Sequence, residues 1–119
     1  MDPHFEGVIF KTHSGEVRRR IDRPFPPFLI LDVRPRADWE RGHIPGALSA
    51  PAGGVTSFPE GAPARIEYLV VGTEPEDPAM RAASLALKRL GAHRVVEMTG
   101  GMVEWEMAGG PIEREGRAA

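Results

Sequence analysis

The chain has 119 residues, a net charge of −2 and no cysteine, and its 41% hydrophobic and 27% charged residues are typical of a folded globular protein. Its length corresponds to a single domain over residues 1–119, and without thiols it has no disulfide, zinc–thiolate site, iron–sulfur cluster or cysteine nucleophile. The sequence has no basic excess and no membrane-length apolar run, and residues 1–10 lack the pattern of a signal peptide, so we expect a cytoplasmic protein that binds neither nucleic acid nor a membrane.

The N-terminal segment predicts a short strand over Gly7–Thr12 and a helix over Gly15–Asp22, capped by Ser14. A β-hairpin that turns at residues 13–15 is the alternative interpretation. The arginines at 18–20 and 23 are interpreted as a solvated helix face, because no aromatic residues are interleaved with them as in a nucleic-acid surface.

Three almost continuously apolar runs predict buried strands, at Phe28–Val33, Glu67–Gly72 and Arg94–Met98. Runs that do not alternate are typical of strands covered on both faces, as in a parallel sheet between helices. A brief strand is predicted over Ala47–Ala50, and the Pro/Gly-rich stretch 51–64 is predicted to be a long surface loop.

Helices are predicted between these strands, at Pro35–Arg41, Pro78–Leu90 and Gly101–Ala108. Asp77 is expected to cap the second helix. The apolar face of that helix is predicted to contain Met80, Ala83, Leu87 and Leu90. Strands alternating with helices predict a parallel α/β sheet, whose ligands usually bind beyond the carboxyl ends of the strands.

Three sequence blocks resemble the rhodanese-like (rhodanese homology) domain family, and together they cover residues 28–112. The first is LDVR at residues 31–34 followed by WERGHIPGA at 39–47, and the second is the strand, loop and Ala/Leu-rich helix at 68–90. The third, at 96–111, contains Gly-Gly, a tryptophan and a Gly-Gly-Pro ending. The resemblance implies a three-layer α/β/α fold with a central parallel sheet. It also implies sulfurtransferase chemistry at a cysteine that carries a persulfide in the loop after the second strand.

Several residues in these blocks are interpreted as structural. We expect Asp32 and Arg34 to form an ion pair that fixes the following loop. The resemblance implies a scaffold turn that contains Gly42, His43, Pro45 and Gly46. Trp39 and Trp105 are expected to anchor the core, and the four histidines lack the spacing of metal ligands.

The sequence departs from the family at the active loop, where the cysteine position falls on Gly72, or on Thr73 if the register shifts by one. The loop is longer than usual, and Arg81, the nearest counterpart of the family's loop arginine, lies inside the helix. The carboxylates of Glu74, Glu76 and Asp77 interact favourably with the positive end of the helix dipole, in the place of a bound anion. They would also repel an anionic substrate. The degenerate loop comprises Gly72, Thr73, Glu74, Pro75, Glu76, Asp77, Pro78 and Arg81.

These features predict a catalytically inactive rhodanese-like domain that acts as a binding or regulatory module, with another protein as its partner and with no cofactor or metal. One alternative is a sulfurtransferase-related protein with residual or partner-dependent activity at the 72–81 loop. The other is a degenerate small-anion-binding domain. Thr73 is a poor candidate nucleophile, because no base is visible next to it in the sequence.

Overall fold

A computed structural model describes residues 8–23, 25–59 and 61–114, which contain one five-stranded sheet whose neighbouring strands are all parallel. The strands are β1 (Phe10–Thr12), β2 (Phe28–Asp32), β3 (Leu48–Ser49), β4 (Glu67–Val71) and β5 (Arg94–Met98), in the spatial order β1-β5-β4-β2-β3. The helices are α1 (Ser14–Asp22), α2 (Arg36–Arg41), α3 (Pro78–Arg89) and α4 (Gly101–Met107). None of the helices in the described ranges has the length and apolar character needed to cross a membrane.

The three inner strands β2, β4 and β5 are mostly apolar because helices cover both faces of the sheet. Leu69 and Val71 of β4 pack in a core that includes residues of α1 and α4, whereas Tyr68 and Val70 pack in a second core that includes residues of α3. Successive side chains of a strand point to opposite faces, so one strand supplies both cores. The predicted three-layer α/β/α fold with a central parallel sheet is therefore confirmed.

Helix α3 covers its side of the sheet with Met80, Ala83 and Leu87, all of which are buried. Leu90, which was predicted on the same face, is instead the residue that ends the helix and is 37% exposed. The helix stops at Arg89, and the next residue but one, Gly91, turns the chain towards β5 with a φ of +96°.

The N-terminal helix is confirmed, and the alternative β-hairpin is wrong. The predicted cap is also wrong: Ser14 is the first residue of α1, and the Nδ1 atom of His13 accepts the hydrogen bond from the Glu16 amide at 3.3 Å. His13 has the extended backbone of a cap residue, with φ −122° and ψ 167°, because it directly follows β1. Gly7, the predicted start of the strand, lies outside the described residues.

The stretch 51–64 is a surface loop as predicted, with no buried residue among those described, and Ala52, Val55 and Phe58 in it are partly buried against the core. It contains a 3₁₀ turn at Ala52–Gly54, and the ring of Phe58 stacks on Tyr68 with 5.3 Å between centroids. The strand predicted over Ala47–Ala50 is shorter in the structure, where β3 contains only Leu48 and Ser49. The Ala50 amide nevertheless donates to the Asp32 carbonyl at 2.8 Å.

Candidate functional site

The loop that connects β4 to α3 lies at the carboxyl edge of the sheet, beside the start of α4. Gly72 is buried at the end of β4, and residues 73–76 are exposed. The amides of Met102 and Val103 donate to the carbonyls of Gly72 and Thr73, each at 2.9 Å. The first amides of α4 therefore bind the loop itself.

Gly101 is the point where α4 and the loop touch most closely. A Cβ at this position would lie 2.6 Å from the carbonyl carbon and oxygen of Thr73 and 2.7 Å from the Glu74 nitrogen. The φ of Gly101 is +65°, which other residues seldom adopt. Any side chain at 101 would have to displace the loop backbone.

Asp77 closes the loop by joining its two ends. One carboxylate oxygen, Oδ1, accepts from the Ala79 amide at 2.9 Å, which caps α3 as the sequence predicts. The other, Oδ2, accepts from the Thr73 amide at 2.7 Å. Glu76 adopts a left-handed backbone with φ 57°, immediately before Asp77. The carboxylate thus accepts from amides at both ends of the loop, as a bound anion would in such a turn.

The bond between Asp77 and Thr73 was missed from the sequence. An aspartate followed by proline indicates the start of a helix, and that signal is local. The second bond depends on the path of the whole loop, including the unusual backbone of Glu76.

At the position that the resemblance assigns to the cysteine, a side chain would have to displace Asp77. A Cβ on Gly72 would lie 2.7 Å from Oδ2 of Asp77 and 3.0 Å from its Cβ and Cγ. A side chain at 72 and the capping carboxylate of Asp77 therefore compete for one volume.

Arg81 is held by a carboxylate of the protein. Its Nε and Nη2 atoms donate to the two oxygens of Glu97, both at 2.9 Å, and Glu97 is only 2% exposed at the end of β5. Burial raises the pKa of Glu97, but hydrogen bonds from Arg81 and Ser84 and the charges of Arg81 and Lys11 outweigh it and hold the pKa below its usual range. The same hydrogen bond and charge raise the pKa of Arg81. Arg81 thus contacts Glu97 in the manner of a structural ion pair.

The surroundings of the loop contain no arrangement of metal ligands. Across residues 8–23, 25–59 and 61–114, no group of three or more His, Cys, Asp or Glu side chains could hold a metal ion. A cavity of about 330 Å³ borders the loop, lined in part by Lys11, Asp77 and Arg81, and is smaller than one of about 720 Å³ beside β3. The larger cavity is lined by Trp39, Phe58 and their neighbours, and no residue of the 72–81 loop contributes to it.

Asp32 and Arg34 form a buried ion pair at the end of β2. The Arg34 Nη2 atom donates to Oδ2 of Asp32 and to the carbonyl of Gly42, both at 2.7 Å, and Nε donates to Oδ1 at 2.9 Å. Through these bonds the pair ties β2 to the end of α2.

The Gly-His-Ile-Pro-Gly-Ala segment forms a turn around His43, which is fully buried. Its ring stacks on Trp39 with 4.4 Å between centroids, its Nδ1 atom lies 2.7 Å from the Trp39 carbonyl, and its backbone pairs with Glu113. Gly46, which follows Pro45, has a φ of +85° and donates its amide to the Glu113 carboxylate at 3.1 Å. The turn thus fixes the C-terminal segment to the end of α2.

Both tryptophans are buried, and each satisfies its indole N–H within the protein. Trp39 donates to the Ala47 carbonyl and Trp105 to the Pro111 carbonyl, each at 2.9 Å. Gly110 lies against the Trp105 ring, since a Cβ there would overlap the indole. These contacts place the tryptophans in the scaffold.

Comparison with known proteins agrees with this architecture. The model of the family described as "Rhodanese-like domain" matches residues 14–108. The solution structure of the rhodanese-like domain from the Anabaena sp. Alr3790 protein is similar, with 28% identity over 100% of this chain and 86% of that one, and a TM-score of 0.75. A crystal structure of the Alr3790 protein shares 31% identity over 87% of this chain and 81% of that one, with a TM-score of 0.74.

A full-length protein from Lactobacillus plantarum shares the fold, with 21% identity over 88% of each chain and a TM-score of 0.77. Comparison with curated proteins gives no match. Because the family model spans most of the chain and the parallel sheet has the same architecture, the chain belongs to the rhodanese-like domain family.

Proposed function

We propose that the chain is a catalytically inactive rhodanese-like domain that serves in the cytoplasm as a binding or regulatory module for another protein. The observation that carries the proposal is the Asp77 carboxylate, which accepts from the Thr73 and Ala79 amides beside a glycine at the cysteine position. The chain has no thiol to carry sulfur. The anion that the loop amides bind is the Asp77 carboxylate, which is part of the chain and cannot be transferred to an acceptor as a persulfide sulfur can.

The same geometry weighs against residual or partner-dependent sulfur transfer at the 72–81 loop. A thiol supplied by a partner would have to reach the volume beside Gly72, which is buried and in which Asp77 lies. Displacing Asp77 would remove the cap of α3 and the bond to Thr73, which together stabilise the loop.

Binding of a small anion at this loop is also disfavoured. The Thr73 and Ala79 amides are occupied by Asp77, and Arg81 is held by both oxygens of Glu97. Glu74 and Glu76 are exposed on the same loop and would repel an anion that approached it.

A thiosulfate:cyanide sulfurtransferase assay tests the loss of catalysis. We expect thiocyanate formation equal to a protein-free control, both for the wild-type chain and for Asp77→Ala. Thiocyanate formation above that control, abolished by loop substitutions, would contradict the proposal.

Affinity purification tests the role as a module. The wild-type chain is compared with a folded variant altered on one exposed face, in lysate of the source organism, with mass spectrometry of the bound proteins. We expect a protein retained reproducibly by the wild type and lost with a surface variant. No such difference for any exposed face would contradict a binding role.

A further inference from the structure

We infer that the partner docks on the exposed side of α4 and the adjoining loop, and that it presents a basic, amphipathic segment. This rests on the proposed function and names the partner's chemistry. The surface is called the α4–loop face and consists of residues 73–76 together with Val103, Glu104, Glu106 and Met107. The two parts adjoin because the Val103 amide donates to the Thr73 carbonyl at 2.9 Å.

The apolar part of the α4–loop face is formed by two large side chains one helical turn apart. Val103 is 46% exposed and Met107 is 83% exposed, whereas Met102 and Trp105 of the same helix are buried against the sheet. Positions separated by four residues are neighbours on a helix surface. A single exposed apolar residue needs no explanation, but adjacent ones beside a bent loop form a patch on which an apolar side chain can be buried.

The acidic part of the face is formed by carboxylates that have no ion-pair partner in the described residues, namely those of Glu74, Glu76, Glu104 and Glu106. Elsewhere in the described ranges, the carboxylates lie within 4.0 Å of an arginine or histidine nitrogen, except for Asp22 and for Asp77, which binds backbone amides. The unpaired negative charge of the described part is therefore concentrated on this face.

Three cations without an ion-pair partner in the described residues lie near the face, against its four carboxylates, and leave it with a net negative charge. One is Arg18, whose Nη1 atom donates to the Ala108 carbonyl at 3.5 Å beside Met107. Lys11 lines the cavity that borders Glu76, and Arg114 lines a groove of about 380 Å³ that Val103 and Glu106 also line. Arg41, in the same groove, is already bonded to Asp38. The remaining negative charge disfavours nucleic acid and anionic lipid as the occupant.

A protein segment with arginine or lysine on either side of an apolar residue fits both parts of the face. The aliphatic stem of such a side chain can cover Val103 and Met107 while its charged end reaches Glu106 or Glu74. A metal ion does not fit, because no group of three or more potential ligands is assembled among the described residues.

The test uses a synthetic peptide in which leucines are flanked by arginines, titrated into the full isotope-labelled chain and followed by amide chemical shifts. Two control peptides carry glutamate for arginine or serine for leucine. The variants are Glu74→Gln/Glu106→Gln, the charge-matched control Glu16→Gln/Glu40→Gln on other faces, and Met107→Ser. Glu40, Glu74, Glu106 and Met107 are exposed and Glu16 is partly exposed, so the variants are expected to fold.

We expect the arginine–leucine peptide to shift the amides of 73–76 and 103–107. Glu74→Gln/Glu106→Gln should weaken binding roughly three- to tenfold and the matched control less than about twofold, because exposed ion pairs each contribute little. Met107→Ser and the serine peptide should also bind more weakly, and the glutamate peptide should not bind.

Shifts on another face, equal weakening by the two double variants, or no binding by the wild type would overturn the inference. Concentration-dependent shifts of the same amides without peptide would instead identify a second copy of the chain as the occupant. The thiocyanate assay is run without peptide, so a failure of the docking surface is distinguishable from a failure of the proposed function.

Discussion

A side chain on Gly72 and the Asp77 carboxylate in its present position would occupy the same space. A Cβ on Gly72 would lie 2.7 Å from Oδ2 of Asp77, and Oδ2 is bonded to the Thr73 amide at 2.7 Å. The hydrogen bond from the Thr73 amide to Asp77 therefore depends on a glycine at position 72. A cysteine at position 72 would displace the Asp77 carboxylate from the Thr73 amide.

Gly72→Cys alone is expected to destabilise the chain and to give no sulfurtransferase activity. The new side chain forces Asp77 away from the Thr73 and Ala79 amides, which should lower the free energy of unfolding by about 1–3 kcal/mol. The thiol also lies beside carboxylates, which raise the pKa of a thiol. Urea denaturation, the pH dependence of alkylation and thiocyanate formation measure the three effects.

The matched variant for this prediction adds Glu74→Gln, Glu76→Gln and Asp77→Ser to Gly72→Cys. It should have the lower thiol pKa of the two, because the neighbouring carboxylates are gone. A strongly acidic thiol and thiosulfate turnover in the single variant would show that the loop still has the geometry of an enzyme.

Asp77→Ala is expected to lower the free energy of unfolding by about 1–2 kcal/mol, since it removes the cap of α3. It also leaves the Thr73 amide without the acceptor that the structure shows. Glu74→Ala, at an exposed position of the same loop, should change stability by less than about 0.5 kcal/mol. Equal effects of the two substitutions in urea denaturation would show that Asp77 does not fix the loop.

The strands and most of the helices could be predicted from the sequence because their signals are local. The apolar run of β4 and the Asp77-Pro78 start of α3 each depend on a few adjacent residues. The cap of α1 was assigned to Ser14 rather than His13, because either side chain can accept a hydrogen bond and the choice depends on where β1 ends.

The contacts that define the loop could not be predicted in the same way. Arg81 and Glu97 are sixteen positions apart in the chain, and their pairing requires the packing of α3 on β5. The bond from Thr73 to Asp77 requires the left-handed backbone of Glu76, for which glutamate has no preference. Both depend on tertiary geometry.

Glu76→Gly is expected to stabilise the chain by up to about 1 kcal/mol, because glycine adopts a positive φ without the steric penalty of a side chain. The backbone of Glu76 has a φ of 57° in the loop. Glu74→Gly removes the same charge at a position where the backbone φ is not positive. Glycine relieves no steric penalty there, so this variant should leave the free energy of unfolding unchanged or lower it. Thermal and urea denaturation of both variants would measure the difference, and destabilisation by Glu76→Gly would argue against the left-handed conformation.

Arg81→Leu is expected to lower the free energy of unfolding at neutral pH by about 1–3 kcal/mol, because it leaves the buried Glu97 carboxylate without its charged partner. The range is moderate because the Arg81 side chain is 49% exposed, so solvent screens part of the interaction. Arg89→Leu, on the same helix and with no ion pair among the described residues, is the matched control. It should have a much smaller effect.

The pH dependence of the Arg81→Leu effect separates the ion pair from simple packing. In the wild type the pKa of Glu97 is lowered on folding, so its ionisation contributes stability above the ordinary carboxyl pKa, and that stability is lost as the pH falls through the folded pKa. The difference in unfolding free energy between wild type and Arg81→Leu should therefore be largest near neutral pH and shrink in acid. Urea denaturation across this pH range measures the difference, and Arg81→Leu/Glu97→Leu should be less destabilised than the sum of its single variants. A difference that stays constant with pH would mean that Arg81 acts through the packing of its stem and not through Glu97.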